Sequence, residues 1–201
     1  MIAIIDYGMG NLRSVQKAFE KVGTRAVITS DPEKILKARK VVLPGVGAFS
    51  ACMNNLRKLQ LEEPIREVIQ AKKPFLGICM GLQVLFDEGE EFGRHQGLGI
   101  IPGKVVRFHL PKKFKIPHMG WNRICKKRRS VLLSEVDDNA YLYFVHSYHV
   151  VPKDSDIITT TTEYGKDFVS SITKDNLFAC QFHPEKSQTV GLKVLKAFVN
   201  L

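Results

Sequence analysis

Apolar positions along the chain fall into two rhythms. Through the first ninety or so residues, short unbroken apolar runs alternate with stretches whose apolar residues recur every three or four positions. Ile2–Ile5, Arg25–Ile28, Val41–Leu43 and Phe75–Ile78 have the length of buried strands. Between them, Leu12 to Val22 sets Leu12, Val15, Ala18, Phe19 and Val22 on one helical face and stops at Gly23. Ser30-Asp31-Pro32 opens a second helix with proline in its first turn. Ala51–Arg57 and Leu61–Ile69 read as two more, with Pro64 inside the first turn of the latter. Strands alternating with helices predict a parallel sheet whose functional loops lie at the strand C-termini.

After Asp87 the rhythm changes. Gly, Pro and charge dominate from Gly89 to Lys115, and strand-like runs follow without long helices: Lys104–Phe108, Ala140–His146, Asp156–Thr161, Phe168–Thr173 and Leu177–Phe182. The aromatic and β-branched stretch from Tyr141 to His149 reads as strand throughout. Val190–Val199 closes the chain as an amphipathic helix. The expected fold is α/β: an open, mostly parallel, flavodoxin-like sheet flanked by helices, with an antiparallel or mixed extension in the C-terminal half. No Pro/Gly/Ser linker and no repeat interrupts residues 1–201, so a single domain is expected.

The stretch that organises the chemistry surrounds Cys79. It follows the apolar run Phe75–Ile78, and Met80, Leu82, Val84, Leu85 and Phe86 after it read as the start of a helix. A cysteine between buried strand and helix, flanked by Gly77 and Gly81, has the layout of a nucleophile elbow with sulfur in place of oxygen. The glycines relieve the clashes of a tight turn, and the helix start favours thiolate. The competing reading is a buried structural cysteine. Pro44-Gly-Val-Gly-Ala-Phe49 supplies a loop with free backbone N–H groups at the same sheet edge. Gln181-Phe-His-Pro-Glu-Lys-Ser187 offers a base and a carboxylate, His183 and Glu185, two apart across a rigid proline. A cysteine nucleophile needs such a base to carry its proton, and the base needs a carboxylate to orient it. Gly8 and Gly10 lack the third glycine and the ribose-binding acid of a dinucleotide loop.

Composition narrows the class. Hydrophobic residues make up 44% and charged residues 25%, as in ordinary soluble proteins. No apolar run has the length of a membrane span and the N-terminus has no signal-peptide layout, so a cytoplasmic protein is expected. Cys52, Cys79, Cys125 and Cys180 are dispersed, which fits free thiols and neither a disulfide framework nor a metal site. The formal charge is +10, much of it between Lys104 and Arg129, with Lys126-Lys-Arg-Arg129 at its end. An acidic partner or nucleic acid would explain it, as would a solvated face. No aromatics interleave with these charges as in a stacking platform, so no nucleic-acid partner is expected.

Gly77-Ile-Cys-Met-Gly-Leu-Gln83 together with His183-Pro-Glu185 resembles the triad (class I) glutamine amidotransferases. Asp6–Asn11, Pro44–Phe49, Pro117-His-Met-Gly-Trp-Asn122, Tyr143-Phe-Val-His-Ser-Tyr148, Thr161–Gly165 and Gln181–Ser187 are similar to one branch of that family, the glutaminase subunits of imidazole glycerol phosphate synthase. The resemblance implies hydrolysis of L-glutamine, with no cofactor and no metal, in a heterodimer with a separate cyclase subunit that uses the ammonia in histidine biosynthesis. It implies Cys79 as nucleophile, His183 as proton carrier and Glu185 as its orienting carboxylate. The Met80 N–H and an N–H of the Val46–Gly47 segment would form the oxyanion hole. Gly47, Gln83, His146, Ser147 and Tyr148 would lie near the substrate, and Trp121, Asn122, Tyr143 and Lys186 would face the partner. Trp121 and Tyr143 could equally be plain core aromatics. A sister glutaminase feeding anthranilate, guanylate or pyridoxal phosphate synthesis, a thiol hydrolase acting alone and a basic nucleic-acid-binding module are the competing readings.

Overall fold

The apolar runs become strands because both of their faces are covered. In the computed structural model, which describes residues 1–201, β1 (Ile2–Ile5), β2 (Ala26–Thr29), β3 (Lys40–Gly45) and β4 (Phe75–Cys79) form one parallel array. Side chains alternate across it with a period of two. Ala3, Ile5, Val41 and Leu43 enter one apolar cluster, and Ile2, Ile4 and Val42 enter a second on the opposite face. Helices α1 (Leu12–Lys21), α2 (Pro32–Lys37), α3 (Phe49–Lys58) and α4 (Glu62–Gln70) occupy the predicted stretches. The last three deliver Ile35, Phe49, Met53, Leu56, Ile65 and Val68 to the first cluster, while Val15 and Phe19 of α1 serve the second. Coverage on both faces is why these strands are continuously apolar.

The helix expected after Cys79 is a single turn, α5 (Met80–Gln83). The backbone beyond it is captured from outside. Leu98 N–H donates to the Val84 carbonyl at 2.7 Å, and the Ile100 and Ile101 N–H groups donate to the Leu85 carbonyl at 2.9 and 3.0 Å. Leu82, Val84, Leu85 and Phe86 are all fully buried, so the apolar spacing that resembles a helix face belongs to a segment surrounded on every side. The chain continues as β5 (Phe86–Gly89), a short β6 (His95–Gln96) and β7 (Ile101–Arg107).

Beyond β7 come β8 (His118–Arg123), which the sequence pattern does not predict, and the two-residue β9 (Cys125–Lys126). The aromatic stretch expected as one strand breaks at Ser147 into β10 (Tyr141–His146) and β11 (Tyr148–Pro152). The break lets the chain change sheets: β10 pairs with β8 in a separate two-stranded sheet, while β11 pairs with β7 in the main one. Then follow β12 (Ile158–Glu163), β13 (Asp167–Lys174), β14 (Leu177–Cys180) and α6 (Gln188–Val199). The main sheet runs β2-β1-β3-β4-β14-β13-β11-β7-β5-β6, with β12 and β9 off that path. It is parallel from β2 to β14 and mostly antiparallel beyond, the mixed extension expected of the C-terminal half.

Close packing at the end of β4 depends on absent side chains. A Cβ on Gly77 would lie 2.6 Å from the Gly81 carbonyl oxygen, and one on Gly81 would overlap the carbonyl oxygen of Leu43 in β3. Gly81→Ala is therefore expected to destabilise the chain by about 3 kcal/mol or more, since a β-strand carbonyl cannot withdraw as a side-chain tip can. Urea unfolding of the purified variant measures it, and wild-type stability would show that α5 stands off from β3.

Candidate active site

Strand register assembles the site. In the parallel pairing of β3 with β4, Gly45 lies beside Cys79, which brings the Pro44–Phe49 loop to the cysteine. In the pairing of β14 with β4, Cys180 lies beside Ile78, so Gln181 emerges next to Cys79. The chain past β14 stays extended, with His183 at φ −102° and ψ 96°. Period-two alternation then sends Gln181 and His183 to the cysteine side and Cys180 and Phe182 into the second core cluster.

Cys79 sits at φ 55°, ψ −106°, a conformation that a residue with a side chain adopts only when its surroundings impose it. Gly77 and Gly81 allow the approach that imposes it, as the sequence predicts for a nucleophile elbow. Its Sγ lies 4.0 Å from the Val145 carbonyl oxygen and accepts from Gln181 Nε2 at 3.5 Å.

His183 Nδ1 lies 2.7 Å from Glu185 Oε1, and both side chains are about 2% exposed. Burial works to lower the His183 pKa, but the negative charges of Cys79 and Glu185 outweigh it and raise it to about 10. The ring is therefore biased toward its protonated form. Its Nε2 is buried without a hydrogen-bond partner, while the ring lines the same pocket as Cys79. The His-Pro-Glu turn is gripped by β10. His183 N–H donates to the Tyr143 carbonyl at 2.9 Å, Tyr143 N–H donates to Ser187 Oγ at 2.9 Å, and Ser187 Oγ donates to the His183 carbonyl at 2.6 Å.

The pocket holds about 240 Å³ and is lined by Val46, Gly47, Cys79, Met80, Gln83, Glu91, Pro117, Val145, His146, Ser147, Tyr148 and His183. Every residue expected near the oxyanion or substrate is among them, but His146 differs in role. Both its ring nitrogens are engaged, Nε2 with His118 Nδ1 at 3.0 Å and Nδ1 with the Tyr148 carbonyl at 2.8 Å, so its ring has no free atom for a ligand. Val46 and Gly47 N–H groups make no hydrogen bond to the protein. The Val46 carbonyl accepts from the Cys52 thiol at 3.6 Å, and a planar trans peptide then sends the Gly47 N–H the opposite way.

Two residues escaped the sequence reading. Glu91 contributes the only carboxylate lining the pocket, and its Oε2 accepts from Phe49 N–H at 2.7 Å at the start of α3. It lies in the charged run Glu88-Gly-Glu-Glu91, where nothing local distinguishes it. Gln181 carried a readable signal: in an extended chain, two residues before His183 is the same face.

Trp121 and Tyr143 are not core aromatics. They pair across β8 and β10, with rings 6.1 Å apart, and Trp121 is 44% exposed. Met119 and Tyr141 are exposed on the same two strands, and Lys186 Nζ lies 5.8 Å over the Tyr143 ring. Asn122 is turned inward to His118 Nε2 at 3.2 Å and the Glu163 carbonyl at 2.8 Å. The basic run is partly consumed by the fold: Lys126 Nζ bonds the Leu133 and Val136 carbonyls and Arg128 bonds the Asp156 carbonyl. No group of three or more His, Cys, Asp or Glu side chains is gathered to hold a metal ion, and no helix is long and apolar enough to cross a membrane.

Comparison with known proteins gives this geometry a family. Residues 3–200 match the family described as Glutamine amidotransferase class-I. The chain belongs to the class-I glutamine amidotransferases. It is 56% identical to the imidazole glycerol phosphate synthase subunit HisH of Geobacter metallireducens, over 98% of this chain and 96% of that one. It is 53% identical to the subunit of the same name from Aquifex aeolicus, over 97% and 94%. Among solved structures, one titled glutamine amidotransferase covers 100% of this chain and 98% of its own at TM-score 0.75 and 16% identity. PurLQS from Thermotoga maritima superposes at TM-score 0.75 and 15% identity, covering 99% and 97%. At such identities these two speak for the fold alone.

Behind the pocket of this amidotransferase, His118, His146 and His149 are packed among Phe108, Phe144, Tyr164 and Phe168. Burial lowers their pKa values to about 4, 3 and 4. Unfolding lets each return to about 6.5, so below that pH the unfolded chain binds more protons and stability falls as pH falls. His183 has the opposite sign: its contribution is fully present below pH 6.5 and is lost only as pH rises through its folded value. Between about pH 6.5 and 4, unfolding free energy is expected to drop by about 1.4 kcal/mol per pH unit for each histidine of the three that titrates on unfolding. Urea midpoints at pH 7.5 and 5 test this, and His149→Phe should flatten the dependence. An unchanged midpoint would mean that the histidines are charged in the fold.

Proposed function

We propose that this chain is the glutaminase subunit of imidazole glycerol phosphate synthase, a single glutamine amidotransferase domain over residues 1–201. It hydrolyses L-glutamine and passes ammonia to a separate cyclase subunit, which makes imidazole glycerol phosphate and aminoimidazole carboxamide ribotide in histidine biosynthesis. The observation that carries the chemistry is the buried His183–Glu185 pair, whose histidine shares one pocket with a cysteine at a left-handed elbow. Near-complete coverage by HisH relatives at 56% identity supports the pathway and the partner.

The reaction follows from the charges. The Cys79 sulfur attacks the side-chain amide carbon of glutamine, its lone pair forming the C–S bond while the carbonyl pair moves onto oxygen. Val46, Gly47 and Met80 offer N–H groups to that oxyanion, and losing one such donor typically costs about 10² to 10³ in rate. His183 gives its Nε2 proton to the departing nitrogen, which leaves as ammonia. It then takes a proton from the water that opens the thioester. Glu185 holds the ring by Nδ1 throughout. Gln83 spends its NH2 group on Gln181 and the Tyr148 carbonyl, leaving Oε1 to accept from the substrate. Glu91 is the anion suited to the ammonium group of the amino acid.

The exposed Met119, Trp121 and Tyr141, with the half-buried Tyr143, form the surface suited to the cyclase, with Lys186 at its edge and Asn122 beneath it. Glutamine hydrolysis by the purified chain, alone and with cyclase and its nucleotide, is the direct test. Strong stimulation that disappears in Cys79→Ala is expected, and turnover without stimulation would point to another synthase. Glu91→Ala should raise KM for glutamine more than it lowers kcat, because uniform binding is lost. Equal falls in kcat and kcat/KM would give Glu91 a role in the chemical step. Trp121→Ala should weaken cyclase binding by about 10-fold or more, as an aromatic anchor does. An unchanged titration would remove this face from the interface.

A further inference from the structure

The hydrogen bond that reaches Cys79 Sγ is given its direction by groups that cannot turn around. The Tyr148 carbonyl can only accept. Gln83 therefore presents Nε2 to it at 3.1 Å, and the same NH2 group donates to Gln181 Oε1 at 3.0 Å. With its oxygen taken, Gln181 turns Nε2 to Cys79 Sγ at 3.5 Å. Reversing Gln181 alone would oppose two NH2 groups. Reversing both glutamines would set Gln83 Oε1 against the Tyr148 carbonyl oxygen.

A second chain of donors ends on the same carbonyl. Asn122 Oδ1 accepts from Arg123 N–H at 2.8 Å and its Nδ2 donates to the Glu163 carbonyl at 2.8 Å, so Nδ2 is also the atom facing His118 Nε2. His118 must then accept at Nε2 and donate from Nδ1 to His146 Nε2 at 3.0 Å. His146 in turn donates from Nδ1 to the Tyr148 carbonyl at 2.8 Å. Burial keeps both rings neutral, the state in which each has one donor and one acceptor. The two chains are mutually consistent only in this sense.

We infer that Gln181 is a further catalytic residue of the glutaminase reaction: its side-chain amide donates to the nucleophilic sulfur, held in that sense by Gln83 and the Tyr148 carbonyl. This rests on Cys79 being the nucleophile. Gln181 is wholly buried and comes abreast of Cys79 through the β14–β4 register. A neutral amide neither takes nor gives up a proton, so it steadies a thiolate without competing for the proton that His183 must deliver. When the C–S bond forms, charge leaves sulfur for the oxyanion and this bond weakens. When water cleaves the thioester, the C–S electron pair returns to sulfur and the donor is waiting.

Gln181→Met keeps the volume and removes the donor. The measurement is alkylation of Cys79 by iodoacetamide in the full chain across pH, with the modified site read by peptide mass. Loss of the donor is expected to slow alkylation near neutral pH by about 3- to 10-fold and move the profile to higher pH. A more basic sulfur is intrinsically more nucleophilic, which offsets part of the lost thiolate. Glutamine kcat with the cyclase subunit should fall by a similar factor or more. Superimposable alkylation profiles and equal kcat would overturn the inference while leaving Cys79 as nucleophile. Glutamine hydrolysis that survives Cys79→Ala would instead overturn the nucleophile itself. Should Gln181→Met fail to fold, the unaltered chain labelled with ¹⁵N-glutamine decides the matter. Gln83 and Gln181 are the buried glutamines, and a buried side-chain amide resonance must move when Cys79 is alkylated, whereas unmoved resonances reject the contact.

Discussion

The approach of one turn of helix to the edge of β3 is the constraint on which the site depends. Three glycines permit it. Gly45 lies against the Tyr7 hydroxyl and Met80, Gly77 against the Gly81 carbonyl, and Gly81 against the Leu43 carbonyl. A side chain at any of the three would push the turn outward. The left-handed backbone of Cys79 would then lose the packing that holds it, since such a conformation costs about 1–3 kcal/mol and persists only where neighbours over-determine it. The shortness of α5 has the same origin: the turn is pressed so close to the sheet that the next carbonyls meet Leu98–Ile101 in place of their own helix.

Around that turn, one residue type exists in two charge states within a single wall of the fold. His183 keeps its proton because Cys79 and Glu185 surround it with negative charge that outweighs burial. His118, His146 and His149 are as deeply buried but have aromatic rings, carbonyls and one another for neighbours, so desolvation wins and they stay neutral. The division is useful. A second imidazolium beside His183 would compete for the thiolate, whereas a neutral His146 serves as a fixed strut between His118 and the Tyr148 carbonyl.

Much of this was legible in the sequence because it rests on short-range rules. Apolar runs buried on both faces announced the parallel strands, and Gly77-Ile-Cys-Met-Gly81 announced the elbow. His183-Pro-Glu185 announced a histidine paired with a carboxylate. The misread elements are those decided by distant partners. Leu82, Val84, Leu85 and Phe86 mimic a helix face, yet backbone from Leu98 to Ile101 claims their segment. Tyr141–His149 has uniform strand character, and only the pairing of its two halves with β8 and β7 reveals the break at Ser147. The resemblance puts His146 near the substrate, and it does line the pocket, but only the fold shows that its neighbours use both ring nitrogens. Glu91 was invisible because its run of acids has no local feature. Gln181 was within reach of the rule that residues two apart in extended chain share a face.

The strand that carries Tyr141 and Tyr143 also holds the His183–Glu185 turn. Tyr143 turns its ring outward beside Trp121, while its own carbonyl and N–H hold the two ends of the segment that carries His183 and Glu185. Asn122, on the strand paired with Tyr143's, begins the donor chain that ends at the Tyr148 carbonyl, where Gln83 and hence Gln181 take their direction. β8 and β10 are therefore joined by hydrogen bonds to the His183 turn on one side and to the sulfur's donor on the other. A protein that docks on this face loads the strands that carry the chemistry, and that follows from covalent connectivity and hydrogen-bond geometry alone.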